Sequence, residues 1–175
     1  GGTVTSTINT IKRLDIISPS NAITIGSYTT GLPAFGNPVV TPITASIALV
    51  NDGAAPTDDA CSALPAGSMT GKIALIRRGT CSFESKVAMA QSAGAVAAII
   101  MNNVAGGGVI NMAGDGSGFA SIPSVMISKE DGDLLVANLI NLKGTIKPPV
   151  IGEFSGTEVQ GVQVINDVAI KNNGG

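Results

Sequence analysis

The stretch GKIALIRRGTCSFESKVAMAQSAGAVAAII, Gly71 to Ile100, is the part of the chain whose reading decides the fold. Lys72 to Ile76 is a short apolar run rich in β-formers, and Arg77 to Ser82 is a turn containing glycine. Phe83 to Ala93 then carries apolar residues at helical intervals, with Ser82 as N-cap and Phe83, Val87, Ala90 and Ala93 on one side. On this reading Lys86 and Gln91 face water, Met89 covers a hydrophobic edge, and Glu84 is accounted for by the helix dipole. Gly94 stops the helix, and Ala95 to Met101 is a second continuous apolar run. Strands without polar alternation are usually buried on both faces. The two runs are therefore expected to lie parallel in a covered sheet, joined by a right-handed crossover.

Working outward, further strands are expected at Pro42 to Val50, closed by the Asn51-Asp52-Gly53 turn, at Ile122 to Ile127, and at Gly144 to Ile146. Ser128 caps a second helix, with Asp131 three residues on as a capping box and Leu134, Leu135 and Leu139 as its apolar face. Gly132 near its start weakens that helix by up to ~1 kcal/mol relative to alanine. The segment from Ser18 to Pro42 is rich in Pro, Gly, Ser and Thr and reads as a surface meander. Ala54 to Met69 is polar and proline-containing, and it would wander over the surface unless tethered. Thr3 to Ile11 alternates, Leu14 to Ile17 extends it, and Val162, Val164, Val168 and Ile170 alternate beyond Pro148-Pro149. Pairing of these end strands brings the termini together, as an inserted domain requires.

At 175 residues, 44% of them hydrophobic and 13% charged, the chain suffices for one core, so a single domain over 1–175 is expected. With 3% aromatic residues and no tryptophan, Val, Ile, Leu and Ala must fill it. The formal net charge of -2 and ten scattered basic residues provide no electrostatic reason to bind nucleic acid. No uninterrupted apolar segment approaches the ~18–20 residues that cross a bilayer, so no membrane partner is expected. The sequence has no initiator methionine or signal peptide and carries Gly-Gly at both ends, which suggests a piece of a larger precursor. Histidine is absent. A Ser-His-Asp triad, a Cys-His dyad and an HExxH zinc site all need imidazole, so none can be completed within this chain. Two cysteines, Cys61 and Cys81, suggest one disulfide pinning the Ala54–Met69 segment to the Arg77–Ser82 turn, worth about 3 kcal/mol. Two free buried thiols in a cytosolic protein are the alternative.

The series Gly71-Lys72-Ile73-Ala74-Leu75-Ile76-Arg77-Arg78-Gly79-Thr80-Cys81-Ser82-Phe83, with Lys86-Val87, Ala90, Ala93-Gly94-Ala95, Ile99-Ile100, Asn102-Asn103 and Ile122-Pro123-Ser124-Val125, resembles the protease-associated (PA) domain. The segment from Ser18 to Gly36 resembles the lead-in to this domain in secreted zinc metallopeptidases of the fungalysin type. The resemblance implies a mixed α/β fold, with mixed β-sheets or an open barrel flanked by two helices and additional peripheral strands at the termini. The core motif would span about 43–146, with 1–42 and 147–175 as flanking strands and loops. It also implies the Cys61–Cys81 disulfide and a non-catalytic module found in secreted peptidases, sorting receptors and some membrane proteins.

Carried over from PA domains, the Arg77-Arg78 loop lies on an exposed edge. Arg78 would contact a carboxylate or backbone carbonyl of an extended peptide, with Asn102 and Asn103 nearby, or else tie down its own loop. Asn102 to Gly108 follows a strand's carboxyl end, where ligands bind in open α/β sheets, although a flexible loop with no ligand is the plainer reading. Asp52, Asp58 and Asp59 could offer oxygens to calcium; their spacing fits no EF-hand loop, solvated carboxylates are the plainer reading, and no metal site or other cofactor is assigned. The expected function is a secreted, extracellular accessory domain that binds protein or peptide substrate and shapes access to the parent peptidase's catalytic domain. A structural spacer or adhesive domain is the alternative, and a carboxylate-based hydrolase a third.

Overall fold

Residues 11–150 are described by the structure, a computed structural model, and Lys12–Pro149 form one unit within it. The alternating segments at the two ends of the chain, and the pairing expected between them, lie outside the described residues. In order, the elements are β1 (Leu14–Ser18), β2 (Gly26–Tyr28), β3 (Ile43–Leu49), β4 (Ile73–Arg77), α1 (Phe83–Ser92), β5 (Ala97–Met101), β6 (Ser124–Ile127), α2 (Lys129–Val136) and β7 (Lys143–Ile146).

The seven strands form one sheet in the order β2-β1-β7-β3-β4-β5-β6. β3, β4, β5 and β6 run parallel, with Ile73 opposite Ala97 and Ile99 opposite Val125, while β1, β2 and β7 join them antiparallel. Three residues past β2, the Gly31 amide donates to the Met126 carbonyl at 2.8 Å and the Met126 amide donates back at 2.9 Å. That exchange laces the segment after β2 to the free edge of β6 and turns the curved sheet into an open barrel. A side chain could not take this position, because a Cβ on Gly31 would lie 1.9 Å from the Ile110 carbonyl oxygen. The segment expected as a surface meander is thus held in place: Ala34 N donates to Met112 O at 2.8 Å and Asn37 N to Ser121 O at 2.8 Å.

Strand alternation divides the core in two. Ile73 and Leu75 of β4 and Ala97, Ile99 and Met101 of β5 join Leu14, Ile16, Ile47, Val125, Leu135 and Ile146 in one cluster. Ala74 and Ile76 of β4 and Ala98 and Ile100 of β5 turn the other way, against Val87, Ala90 and Ala93 of α1. From Ile73 to Ile76 and from Ala97 to Met101 the central parallel pair is therefore buried on both faces, as the lack of polar residues there requires.

Both helices begin at a serine whose hydroxyl accepts an amide: Ser82 from Ser85 N at 3.1 Å and Ser128 from Asp131 N at 3.1 Å. Two residues past each cap stands a glutamate, and each one anchors a glycine-rich loop. Glu84 is buried, accepting from Gly118 N at 2.8 Å and Asp115 N at 2.9 Å; Glu130 accepts from Gly106 N at 2.7 Å. Glu84 therefore does more than answer the helix dipole. Gln91, expected in water, clips the same region, its Oε1 accepting from Ser121 N at 2.7 Å and Ile122 N at 3.1 Å. Lys86, also expected in water, is wholly buried. The apolar face of α2 is narrower than expected: Leu135 is fully buried, Leu134 is half-exposed, and Leu139 packs on the core from beyond the helix end. Gly94 follows α1 at φ +98°, where a Cβ would meet Thr70 Oγ1 at 2.8 Å.

Gly132 has a packing role that outweighs its low helix propensity. A Cβ there would sit 2.7 Å from Met101 Cβ and 2.8 Å from Met101 Cγ. Gly132→Ala should therefore lower stability by about 1–3 kcal/mol, whereas propensity alone would raise it by up to ~1 kcal/mol; the sign of the change in urea midpoint separates the two.

Three carboxylates titrate below their ordinary values when folded. Burial pushes Asp52 up from 3.8, but the amides of Ala54 and Ser62 outweigh it. The Ser82 hydroxyl, with Ser117, lowers Asp115, and the Gly106 amide lowers Glu130 from 4.5. Because the unfolded chain takes up these protons first, their contribution is complete above the ordinary carboxylate range and is lost as pH falls through the folded values. The urea midpoint should fall steadily from about pH 5 to about pH 3 and stay level from about pH 5 to about pH 7.

Candidate functional site

β4 and β5 run in register, so the residues that follow them, Arg78 and Asn102, emerge side by side at the same end of the sheet. The Arg78 amide donates to the Met101 carbonyl at 2.9 Å and the Asn102 amide to the Ile127 carbonyl at 3.0 Å, continuing the ladder one step past the strands. Asn102 is buried and works as a hub. Its Oδ1 accepts from Arg78 Nη1 at 2.9 Å and Asn103 N at 2.8 Å, while its Nδ2 donates to Gly108 O at 2.8 Å.

Arg78 is held twice, by that bond and by stacking of its guanidinium 5.6 Å above the Phe83 ring centroid. Its Nε and Nη2 have no hydrogen-bond partner among the described residues. Beside it the Gly79-Thr80 turn runs at positive φ, +126° and +70°, and a Cβ on Gly79 would come within 3.3 Å of Asn103 Nδ2. Asn103 is exposed, and its side-chain carboxamide likewise has no hydrogen-bond partner among the described residues. A fixed guanidinium edge next to a free carboxamide suits a carboxylate or the backbone of an extended chain.

Arg77 is placed otherwise. Its Nε and Nη2 both reach Asp58 Oδ2, at 2.8 and 2.7 Å, and its amide donates to the Asp58 carbonyl at 2.7 Å. Of the four residues singled out from sequence, Arg78 and Asn103 offer unused groups, Asn102 links them, and Arg77 is bound to the neighbouring loop. In the glycine-rich stretch that follows, Gly106 N is taken by Glu130 and Gly107 N by the Val104 carbonyl.

Cys61 and Cys81 form a disulfide with Cα atoms 5.7 Å apart, tying the Ala54–Met69 segment to the turn that carries Arg78. The acidic residues of that segment are engaged internally. Asp58 binds Arg77, Asp52 accepts from Ala54 N and Ser62 N at 3.0 Å each, and Asp59 Oδ1 accepts from Cys61 N at 3.0 Å. No three of the His, Cys, Asp or Glu side chains among the described residues are gathered as a metal would need. Among the described residues no helix is long and apolar enough to cross a membrane. A shallow apolar cavity of about 260 Å³, lined by Leu32, Phe35, Val39 and Val125, lies at the opposite end of the strands, by the start of β6 and the end of β7.

Lys86, Glu84 and Gln91 were not singled out from sequence. For Lys86 a signal existed: it falls four residues before Ala90 and three after Phe83, on the inward stripe of α1.

The chain is 38% identical over 121 residues to leucine aminopeptidase 2 of Arthroderma otae, covering 67% of this chain and 22% of that protein. It is 46% identical over 80 residues to a receptor homology region, transmembrane domain- and RING domain-containing protein of rice, covering 44% of this chain and 15% of that one. Among solved structures, a zinc aminopeptidase from Bacillus subtilis superposes with a TM-score of 0.58 at 27% identity, over 79% of this chain and 31% of that chain. The chain thus spans less than a third of each of these relatives. The mixed seven-stranded sheet with two helices is the fold of the PA domain in its peptidase neighbours. The model of the PA domain family matches residues 38–135, and the chain belongs to that family.

Proposed function

We propose that this chain is a non-catalytic accessory domain of a secreted zinc peptidase, that it binds extended protein substrate at Arg78 and Asn103, and that it shapes access to the catalytic domain. The observation that carries this reading is the Arg78 guanidinium, fixed by Asn102 and Phe83 at the end of β4 with two nitrogens unused, in a chain without histidine. A rigid guanidinium loses little entropy on binding, and a carboxylate or peptide carbonyl gains a charge-assisted hydrogen bond.

The aminopeptidase relatives favour a zinc peptidase as host, and the lead-in from Ser18 to Gly36 favours the narrower fungalysin type. The disulfide favours an extracellular setting. A second reading, a docking or spacer domain with no substrate, is favoured by the RING-containing plant relative, whose name describes no peptidase.

Titration with an unfolded, carboxymethylated casein separates the two. Saturable binding that weakens about 10- to 100-fold in Arg78→Ala and measurably in Asn103→Ala supports recognition. The Asn103 side chain is exposed and has no hydrogen-bond partner among the described residues, so Asn103→Ala should change stability by less than about 0.5 kcal/mol and serves as the fold-neutral probe. No binding at any accessible concentration supports the spacer.

A further inference from the structure

Lys86 lies on the inward face of α1, wholly buried, with Nζ 2.7 Å from the Asp59 carbonyl oxygen and 3.2 Å from Cys61 Sγ. It forms no ion pair with any carboxylate among the described residues. An ammonium is costly to bury, and a disulfide sulfur is a weak acceptor. The same sulfur carrying a negative charge is a far better partner, because direct contact with a cation favours the thiolate.

Thiol–disulfide exchange makes that contact consequential. An attacking thiolate can strike either sulfur of a disulfide, and the reaction runs faster when the departing sulfur is the better-stabilised thiolate. Cys61 and Cys81 are both half-exposed, so access alone does not choose between them. The charge beside Cys61 does. The groups facing this point are Lys86 from α1 and, from the neighbouring loop, Asp52, Asp58 and Asp59; Asp58 is neutralised by Arg77 of β4. Burial pushes the Lys86 ammonium down from its ordinary value, while the three aspartates favour its charged form. The carbonyl oxygens of Gly79 and Asp59 also approach Sγ, at 3.4 and 3.7 Å, but the nearest group is the ammonium.

We propose that the Cys61–Cys81 disulfide is an exchange site for an external dithiol, opened by attack at Cys81 with Cys61 departing as a thiolate onto Lys86. In the first step the attacking sulfur bonds to Cys81 Sγ, the Cys61–Cys81 bond breaks, and its electron pair leaves on Cys61 Sγ. In the second, the other thiol of the dithiol gives up its proton to solvent and attacks its partner sulfur. The dithiol leaves as a cyclic disulfide and Cys81 leaves as a thiolate that takes a proton. Two electrons pass from the dithiol to the protein, and the Ala54–Met69 segment loses its covalent tie to the Arg78 turn. This site stands apart from substrate binding at Arg78 and does not depend on it.

Glutathione, a monothiol, arrests the reaction at the first step. The 175-residue chain is treated briefly with limiting glutathione near neutral pH, quenched in acid and mapped by peptide mass. Glutathione on Cys81 with Cys61 free should exceed the reverse adduct roughly tenfold. Lys86→Met should bring that ratio close to one, and Lys86→Arg should preserve it. Equal labelling, or an excess on Cys61, in the unsubstituted chain overturns the proposal even where Lys86→Met fails to fold. A bias that survives in folded Lys86→Met overturns it as well.

Discussion

Everything in this fold hangs on a parallel pair of strands that are unbroken by polar residues from Ile73 to Ile76 and from Ala97 to Met101. β4 and β5 carry Ile, Ala, Leu and Met on both faces, and neither face can be left exposed. One is covered by α1, the other by the strands and helix that close the barrel. Burial on both sides also locks the register, since a slip of one residue would exchange the two sets of side chains between the two clusters. Ala74, Ile76, Ala98 and Ile100 lie under α1, and Ile73, Leu75, Ala97, Ile99 and Met101 face the barrel. The fixed register in turn sets Arg78 beside Asn102.

Around that frame, charged and amide side chains hold irregular backbone. Glu84 and Glu130 stand at the same distance from their helix caps, each accepting amides from a glycine-rich loop. A glycine loop has no side chains with which to order itself, and its backbone donors would otherwise sample many arrangements. A carboxylate in the first turn of a helix is an economical anchor because the helix dipole already favours its charge. Asn102 serves the loop 103–108 in the same manner, with a carboxamide that both accepts and donates. The loops at this end of the sheet are therefore tethered at points and free between them, which leaves Asn103 and Thr80 exposed on a defined backbone.

Much of this was legible in the sequence, and the reasons for the remainder are physical. Unbroken apolar runs revealed β4 and β5, and serine caps revealed both helix starts, because burial and capping leave local signatures. Closure of the barrel left none, since it rests on two hydrogen bonds of Gly31 inside a segment that has every mark of a loop. Lys86 was assigned to water by its charge although its helical phase pointed inward; phase was the better guide. Gly132 read as a flaw in α2 because propensity is a local quantity, whereas its function is to let the helix approach Met101. Of the residues expected to bind, Arg77 and Arg78 look alike in sequence and are told apart only by Asp58, which is nineteen positions away from Arg77 and takes one of them.

The disposition of charge bears directly on what the domain can do. Asp58 is matched to Arg77, Glu84 to two amides and Lys86 to the Asp59 carbonyl. Groups committed in this way hold the loops in place, because freeing any one of them would leave a partner unsatisfied at a cost of about 1–3 kcal/mol. Among the described residues, the outer edge of the Arg78 guanidinium and the Asn103 carboxamide stand uncommitted at the β4–β5 end, and both carry hydrogen-bond donors. The β4–β5 end of the sheet therefore presents hydrogen-bond donors held on a fixed backbone.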